Sequence, residues 1–193
     1  MFLSDFKSEF NSAGFTAVLK FLGTRIEDKF NTINPAYTNN VDKDHLYNSK
    51  FHKHAFNYRT RRLTYTVAMR IRDYVKKGMP SYQAFLKVQT HLLAVGKAYI
   101  IELAYNTFTD FTNTIENKKN RLLFKKTSTL YALHELQKDA SWYLEQGYIS
   151  GTKSKAIRKR VERLTSELRP YLVALIDGFG IPEHSLEAPI AKS

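Results

Sequence analysis

Apolar residues recur along this chain at the spacing of an α-helix. Phe2, Phe6 and Phe10 lie four apart, and beyond Gly14 the stripe resumes with Phe15, Val18, Leu19, Leu22, Ile26 and Phe30. This predicts a helix over about 2–31, broken or bulged near Gly14. Residues 32–48 have no period and are rich in Asn, Asp and Pro, so they read as the longest loop. A second helix is expected over about 49–77, with Phe56, Leu63, Val67, Ile71 and Tyr74 on one face. Lys76, Lys77, Gly78 and Pro80 supply its stop signal.

The third helix, from Ser81 to about Phe111, is apolar almost all the way round, through Tyr82, Phe85, Leu86, Leu92, Leu93, Val95, Tyr99, Ile100, Ile101, Leu103 and Tyr105. Such a helix is expected to be central and touched by several neighbours. Ala94, Gly96 and Ala98 leave room for one of them to approach closely. The fourth, over about 118–146, carries Leu122, Leu130, Leu133, Leu136, Tyr143 and Leu144 and ends at Gly147. The fifth, over about 153–177, shows Ile157, Val161, Leu164, Leu168 and Leu172 at alternating four and three spacing, the rhythm of bundle packing. Pro170 should kink it, because proline removes one backbone hydrogen bond and crowds the preceding turn. Residues 178–193 read as an extended tail. The fold class that follows is all-α: one domain over 1–193, an antiparallel bundle of about five helices.

Charge adds an asymmetry. The 193 residues carry 30 Lys and Arg against 18 Asp and Glu, a formal net charge of +12. Residues 50–77, 118–126 and 153–169 hold +8, +5 and +5, which leaves −6 for the rest. These stretches are either solvated helix faces or a surface for an anionic partner. There is no cysteine, which excludes disulfides, thiolate nucleophiles and sulfur-ligated metals and fits a reducing compartment. The opening residues carry acids and no uninterrupted apolar run, so no secretory or transit leader is legible there. No window reaches the roughly 20 apolar residues of a membrane span.

Chemistry is sparse. His52 and His54 are two apart on a helix, so they project in different directions and cannot share an ion. The run His134-Glu135-Leu136-Gln137-Lys138 begins like a zinc-protease helix, but lysine replaces the second histidine. No serine elbow, paired carboxylates on one helix face or glycine-rich phosphate loop occurs. Glu102, inside a strongly apolar helix, is the one candidate general base, and an ion pair with an arginine is the plainer reading of it. The interleaved basic and aromatic residues of 50–77 raise nucleic-acid or other polyanion binding by a stand-alone basic bundle. Phe56, Leu63, Val67 and Ile71 share the apolar face, however, which suits a core better than a base-stacking platform.

Several segments together resemble the C-terminal helical domain of acyl-CoA oxidases. They are "INPAYTNNVDKDHLYNSKFHKHAFNYRTRRL", "GMPSYQAFLKVQTHLLAVGKAYI", "LYALHELQKDASWYLEQGYIS" and "RPYLVALIDGFGIP". The last carries Arg169, Pro170, Ala174, Leu175, Asp177 and Phe179 of the family's closing signature. The resemblance implies a part of an FAD-dependent enzyme that oxidises an acyl-CoA to the trans-2-enoyl-CoA and passes the electrons to oxygen, giving hydrogen peroxide in fatty-acid β-oxidation. The Glu-Gly-Asp-Asn segment that supplies the family's catalytic base is not in this sequence, nor are the preceding flavin-binding domains, so no catalytic residue carries over. The expectation is therefore a fragment that serves as a scaffold and dimerisation domain, inactive by itself and binding no FAD alone. Its partners would be the flavin-binding domains and a second subunit, with acyl-CoA bound only in the complete enzyme. It implies an apolar surface, including Phe2, Phe6 and Phe10, left uncovered. Arg59 and Arg62 are the expected structural or interdomain ion-pair residues. Eukaryotic members of the family are peroxisomal. The final Ile-Ala-Lys-Ser in place of Ser-Lys-Leu favours a bacterial cytoplasm.

Overall fold

The computed structural model describes residues 33–178. The helix expected over 2–31, with Phe2, Phe6 and Phe10, and the tail after residue 178 lie outside the described residues. Within them the chain is helical and holds no strand. The elements in order are α1 (Pro35–Thr38), α2 (Lys43–Leu46), α3 (Ser49–Lys76), α4 (Ser81–Lys87), α5 (Gln89–Thr114), α6 (Lys118–Lys138), α7 (Ala140–Glu145), α8 (Gly151–Leu168), a 3-10 turn (Arg169–Tyr171) and α9 (Leu172–Asp177).

Four long helices make the bundle. The α3 helix packs on α5, α5 on α6, and α6 on α8, with α6 also reaching α3. Lys53 meets Asp110 while Asn57 meets Glu102, so α3 and α5 run antiparallel. The main core gathers Phe51, Phe56, Tyr105, Leu133, Leu136, Tyr143, Ile157 and Leu164. A second, smaller core joins Val67 and Ile71 of α3 to Ala84, Val88 and Val95. On α3, Thr60 and Thr64 are also fully buried, their hydroxyls donating to the carbonyls of Phe56 and Thr60. Using their own helix as acceptor lets them sit in a core without an unmet polar group.

Each expected helix beyond residue 80 is interrupted, for local reasons. The third breaks at Val88, whose backbone leaves the helical region (φ −110°, ψ 10°) as its side chain is buried in the second core. The fourth breaks at Asp139 (φ −102°, ψ 17°), which turns its carboxylate to Arg59. The fifth starts at Gly151, capped by Ser150 Oγ accepting from the Lys153 amide, and stops at Leu168 before the 3-10 turn that holds Pro170. The expected loop at 32–48 contains two single-turn helices. Asn34 Oδ1 accepts from the Ala36 amide and Pro35 occupies the first turn, a start signal that four residues are too few to show as periodicity.

The third helix is not enclosed. Its α5 portion is covered by α3 and α6, while Leu93, Ile100 and Leu103 are 74%, 65% and 51% exposed. The close approach expected at Gly96 does not occur: nothing lies within 4 Å of the position a Cβ would take, although Ala98 beside it is buried. Leu122, Leu144 and Leu172, assigned to core stripes from spacing, are exposed as well.

Gly147 closes α7 with φ +65°, and the amides of Gly147 and Tyr148 return to the carbonyls of Leu144 and Tyr143. A left-handed residue is needed at this turn, so Gly147→Ala is expected to cost about 1 kcal/mol. Urea unfolding checks this; an unchanged midpoint would mean the turn relaxes freely.

Candidate functional site

The segment 51–63 is the hub of the bundle's polar contacts, because α3 has neighbours on more than one side. Phe51, His52, Ala55 and Phe56 are buried. His52 Nε2 lies 2.8 Å from the Leu46 carbonyl, so that nitrogen carries the hydrogen and donates. Nδ1, at 2.8 Å, then accepts from the Tyr105 hydroxyl. Burial holds the His52 pKa down at about 4 and pushes that of Tyr105 up to about 12. His54 Nδ1 sits 2.6 Å from the Tyr148 hydroxyl, so the two histidines have separate partners. No group of three or more His, Asp or Glu residues that could hold a metal occurs among the described residues. Glu135, next to the exposed His134, is buried and takes the Lys138 ammonium at 2.8 Å.

Lys153 was not legible as special, and it is fully buried. Its ammonium donates to the Asn40 carbonyl and lies 4.1 Å from the centre of the Phe51 ring. The Asn39 side-chain oxygen accepts from the Ser150 amide, so the start of α8 is tied to the turn between α1 and α2. Burial depresses the Lys153 pKa to about 8, with the Asp42 carboxylate acting against the shift. The sequence signal available was slight: Lys153 stands one turn behind a serine cap, where lysine is normally solvated.

Of the two arginines expected to matter, Arg59 pairs with Asp139, and its guanidinium stands 5.5 Å from the centre of the Trp142 ring. Arg62 Nε donates to Gln146 Oε1 at 3.0 Å. Both contacts join α3 to the α6–α7 region. Glu102 is met by an amide rather than the expected guanidinium: Asn57 Nδ2 donates to Oε1 at 3.0 Å, and Oε2 is buried without a hydrogen-bond partner. Among the described residues its one hydrogen-bond partner is the Asn57 amide, which does not make a catalytic constellation.

A cavity of about 480 Å³ opens at one end of the bundle between α2, α5, α6 and the last turn of α8. Its wall includes Tyr105, Thr112, Ser128 and Thr129, and its rim includes Lys43 and Lys125. No helix among the described residues is long and apolar enough to cross a membrane.

A family model described as acyl-CoA oxidase matches residues 48–193, three-quarters of the chain. The chain belongs to the acyl-CoA oxidase family. It is 29% identical over 189 residues to the peroxisomal acyl-coenzyme A oxidase 2 of Arabidopsis thaliana, covering 98% of this chain and 27% of that protein. Among solved structures it superposes on acyl-CoA oxidase 1 of Yarrowia lipolytica with a TM-score of 0.75 at 19% identity, covering 87% of this chain and 24% of that one. For Arabidopsis thaliana acyl-CoA oxidase 1 the TM-score is 0.66 at 19% identity, with 96% and 27% covered. The chain thus spans about a quarter of the length of each of these relatives.

Acyl-CoA oxidase 1 of Caenorhabditis elegans has been solved with FAD and ATP. In the present family member, the cavity wall is helical side chains. Gly78 and Gly147 lie at helix ends, Gly96 on the outer face of α5, and none lines the cavity as the glycine-rich turn that lets a backbone approach a dinucleotide's pyrophosphate.

Proposed function

We propose that this chain is the C-terminal helical scaffold and dimerisation domain of an FAD-dependent acyl-CoA oxidase, converting acyl-CoA and oxygen to trans-2-enoyl-CoA and hydrogen peroxide, and that it is inactive alone. The flavin and the catalytic base belong to regions that precede this quarter in the family's longer chains. The observation that carries the reading is the outer face of α5, where Leu93, Ile100 and Leu103 stand out to solvent at helical spacing. Single exposed leucines are ordinary, but a stripe of three on a long helix is what a bundle presents to a neighbouring domain or subunit. Removing each from water contributes about 1.5–3 kcal/mol. Arg59 and Arg62 act as scaffold residues in this reading, holding α3 to the α6–α7 corner so that the outer face of α5 stays in place.

Sedimentation equilibrium of the purified chain tests this. The wild type is expected to self-associate through the uncovered face. Ile100→Lys combined with Leu103→Lys is expected to sediment as a monomer with an unchanged unfolding midpoint, since neither side chain contributes to the core. A wild-type monomer at high concentration would remove the support for a docking face. Stoichiometric FAD, read as flavin absorbance in the isolated chain, would contradict the assignment of the flavin to the rest of the enzyme.

A further inference from the structure

We propose that residues 33–48 form an acid-released strap, held on the bundle through Lys153 and triggered by protonation of His45. The strap comprises α1, α2 and the turn between them, and it is tied down at separate points. Thr38, His45 and Leu46 are buried. Asn39 Oδ1 accepts from the Ser150 amide, the Asn40 carbonyl from the Lys153 ammonium, and the Leu46 carbonyl from His52. Ile33, Tyr37 and Tyr47 add partly buried contacts to the main core. Since α1 and α2 have four residues each, neither keeps its shape once these contacts go. Such a segment opens at lower cost than the four long helices beneath it.

The charges under the strap are poorly matched. The Phe51 ring has the Lys153 ammonium 4.1 Å from its centre and the His45 ring at 4.7 Å between centres. Among the described residues no carboxylate lies at ion-pair distance from Lys153. His45 Nε2 is buried without a hydrogen-bond partner. A neutral imidazole is tolerated in this setting, whereas an imidazolium would put a second cation against the same ring. The groups around His45 are Tyr37 on α1, Phe51 and His52 on α3 and Lys153 on α8, with Asp42 at the start of its own helix. Burial and then Lys153 hold the His45 pKa below the ordinary 6.5, and Asp42 acts against them. His52 donates to the strap itself, so its depressed pKa is relieved in the same event. Opening therefore takes up protons: the closed strap is favoured above about pH 6.5, and opening grows as the pH falls below it. Lys153, with a pKa of about 8, stays charged throughout that range and supplies a constant repulsion. The strap also contributes Lys43, Asp44 and Tyr47 to the cavity wall, so its release opens the cavity to solvent.

Thiol labelling of the purified chain with 4,4′-dithiodipyridine is the test, since the sequence has no cysteine of its own. Thr38→Cys places one thiol under the strap and removes no hydrogen bond, because Thr38 Oγ1 makes none. Ala132→Cys, equally buried in the main core, reports on the bundle. Each rate is divided by that of the urea-unfolded chain at the same pH. Between pH 7 and pH 5 the Thr38→Cys rate is expected to rise at least about tenfold. Ala132→Cys should stay protected and the circular dichroism unchanged. Adding His45→Phe, which keeps an aromatic ring against Phe51, should shrink the rise at least about threefold. Adding Lys153→Met should move it to lower pH. A Thr38→Cys rate that does not rise, or that rises only together with Ala132→Cys, would overturn the strap. An undiminished rise with His45→Phe, or an unshifted one with Lys153→Met, would do the same. None of these readouts depends on the chain being part of an oxidase.

Discussion

Asp139→Ala is expected to destabilise the chain by about 3–5 kcal/mol, because it leaves a guanidinium in the interior with no counter-charge. Arg59 and Asp139 are only 12% and 20% exposed at their side chains, so water cannot replace the lost partner. The Trp142 ring, 5.5 Å from the guanidinium, compensates only a fraction of this. The loss is also amplified by geometry: Asp139 is the residue at which α6 ends and α7 begins, and Tyr143, one turn later, donates from its buried hydroxyl to the Ala55 carbonyl of α3. Freeing Asp139 therefore loosens the corner that Tyr143 closes. Chemical unfolding of Arg59→Ala, Asp139→Ala and the double variant checks this. The double variant should cost much less than the sum of the singles, since removing both charges abolishes the uncompensated one. Additive losses, or a loss below about 1 kcal/mol for Asp139→Ala, would mean that water solvates the arginine, as at surface pairs.

Acid is expected to unfold the chain through His52. Its pKa is about 4 in the folded chain and 6.5 when solvated, the shift coming first from burial. The unfolded chain thus takes up the proton at higher pH than the folded one. The stability His52 confers by staying neutral is complete above about pH 6.5 and is lost as the pH falls towards 4. At 1.36 kcal/mol per pKa unit the loss across that window is about 3 kcal/mol. The direct cause is local: a proton on Nδ1 would oppose the hydrogen donated by the Tyr105 hydroxyl, with the Lys153 ammonium nearby adding repulsion. His45 and His54 are also held below their ordinary value by burial and act in the same direction. Unfolding free energies at pH 7 and pH 4 should differ less in His52→Gln than in the wild type, by about 2–3 kcal/mol. Parallel pH profiles for the two proteins would show that the proton is accommodated without cost.

How much of this was legible follows from the range over which each signal acts. The face of α3 that carries Phe56, Val67 and Ile71 could be read directly, because burial against a neighbour imposes the same residue type every three or four positions. Pro170 likewise announced the interruption after Leu168 through its missing amide hydrogen. The breaks at Val88 and Asp139 left no such mark, since neither residue disfavours a helix strongly. Each break is fixed by a contact with α3, at Val67 and Ile71 in one case and Arg59 in the other. Arg59 could be named as a candidate from its type and setting, whereas its partner could not, because the two are 80 residues apart.

The apolar wrap of α5 was read as enclosure and is instead part core, part uncovered face. Sequence records only that Leu93, Ile100 and Leu103 are apolar, not whether this chain or another covers them. Lys153 shows the converse, an apparently solvated residue drawn fully inside by the Asn40 carbonyl and the Phe51 ring.

The sequence by itself determined an all-helical chain, the main buried stripe of α3 and membership of the acyl-CoA oxidase family. Those properties follow from local periodicity and from short ordered motifs. Only the tertiary structure decided where the helices break, which charges are buried in pairs, and which apolar residues of α5 stay exposed. Such features depend on groups far apart in the chain meeting in space, and no local pattern encodes that meeting.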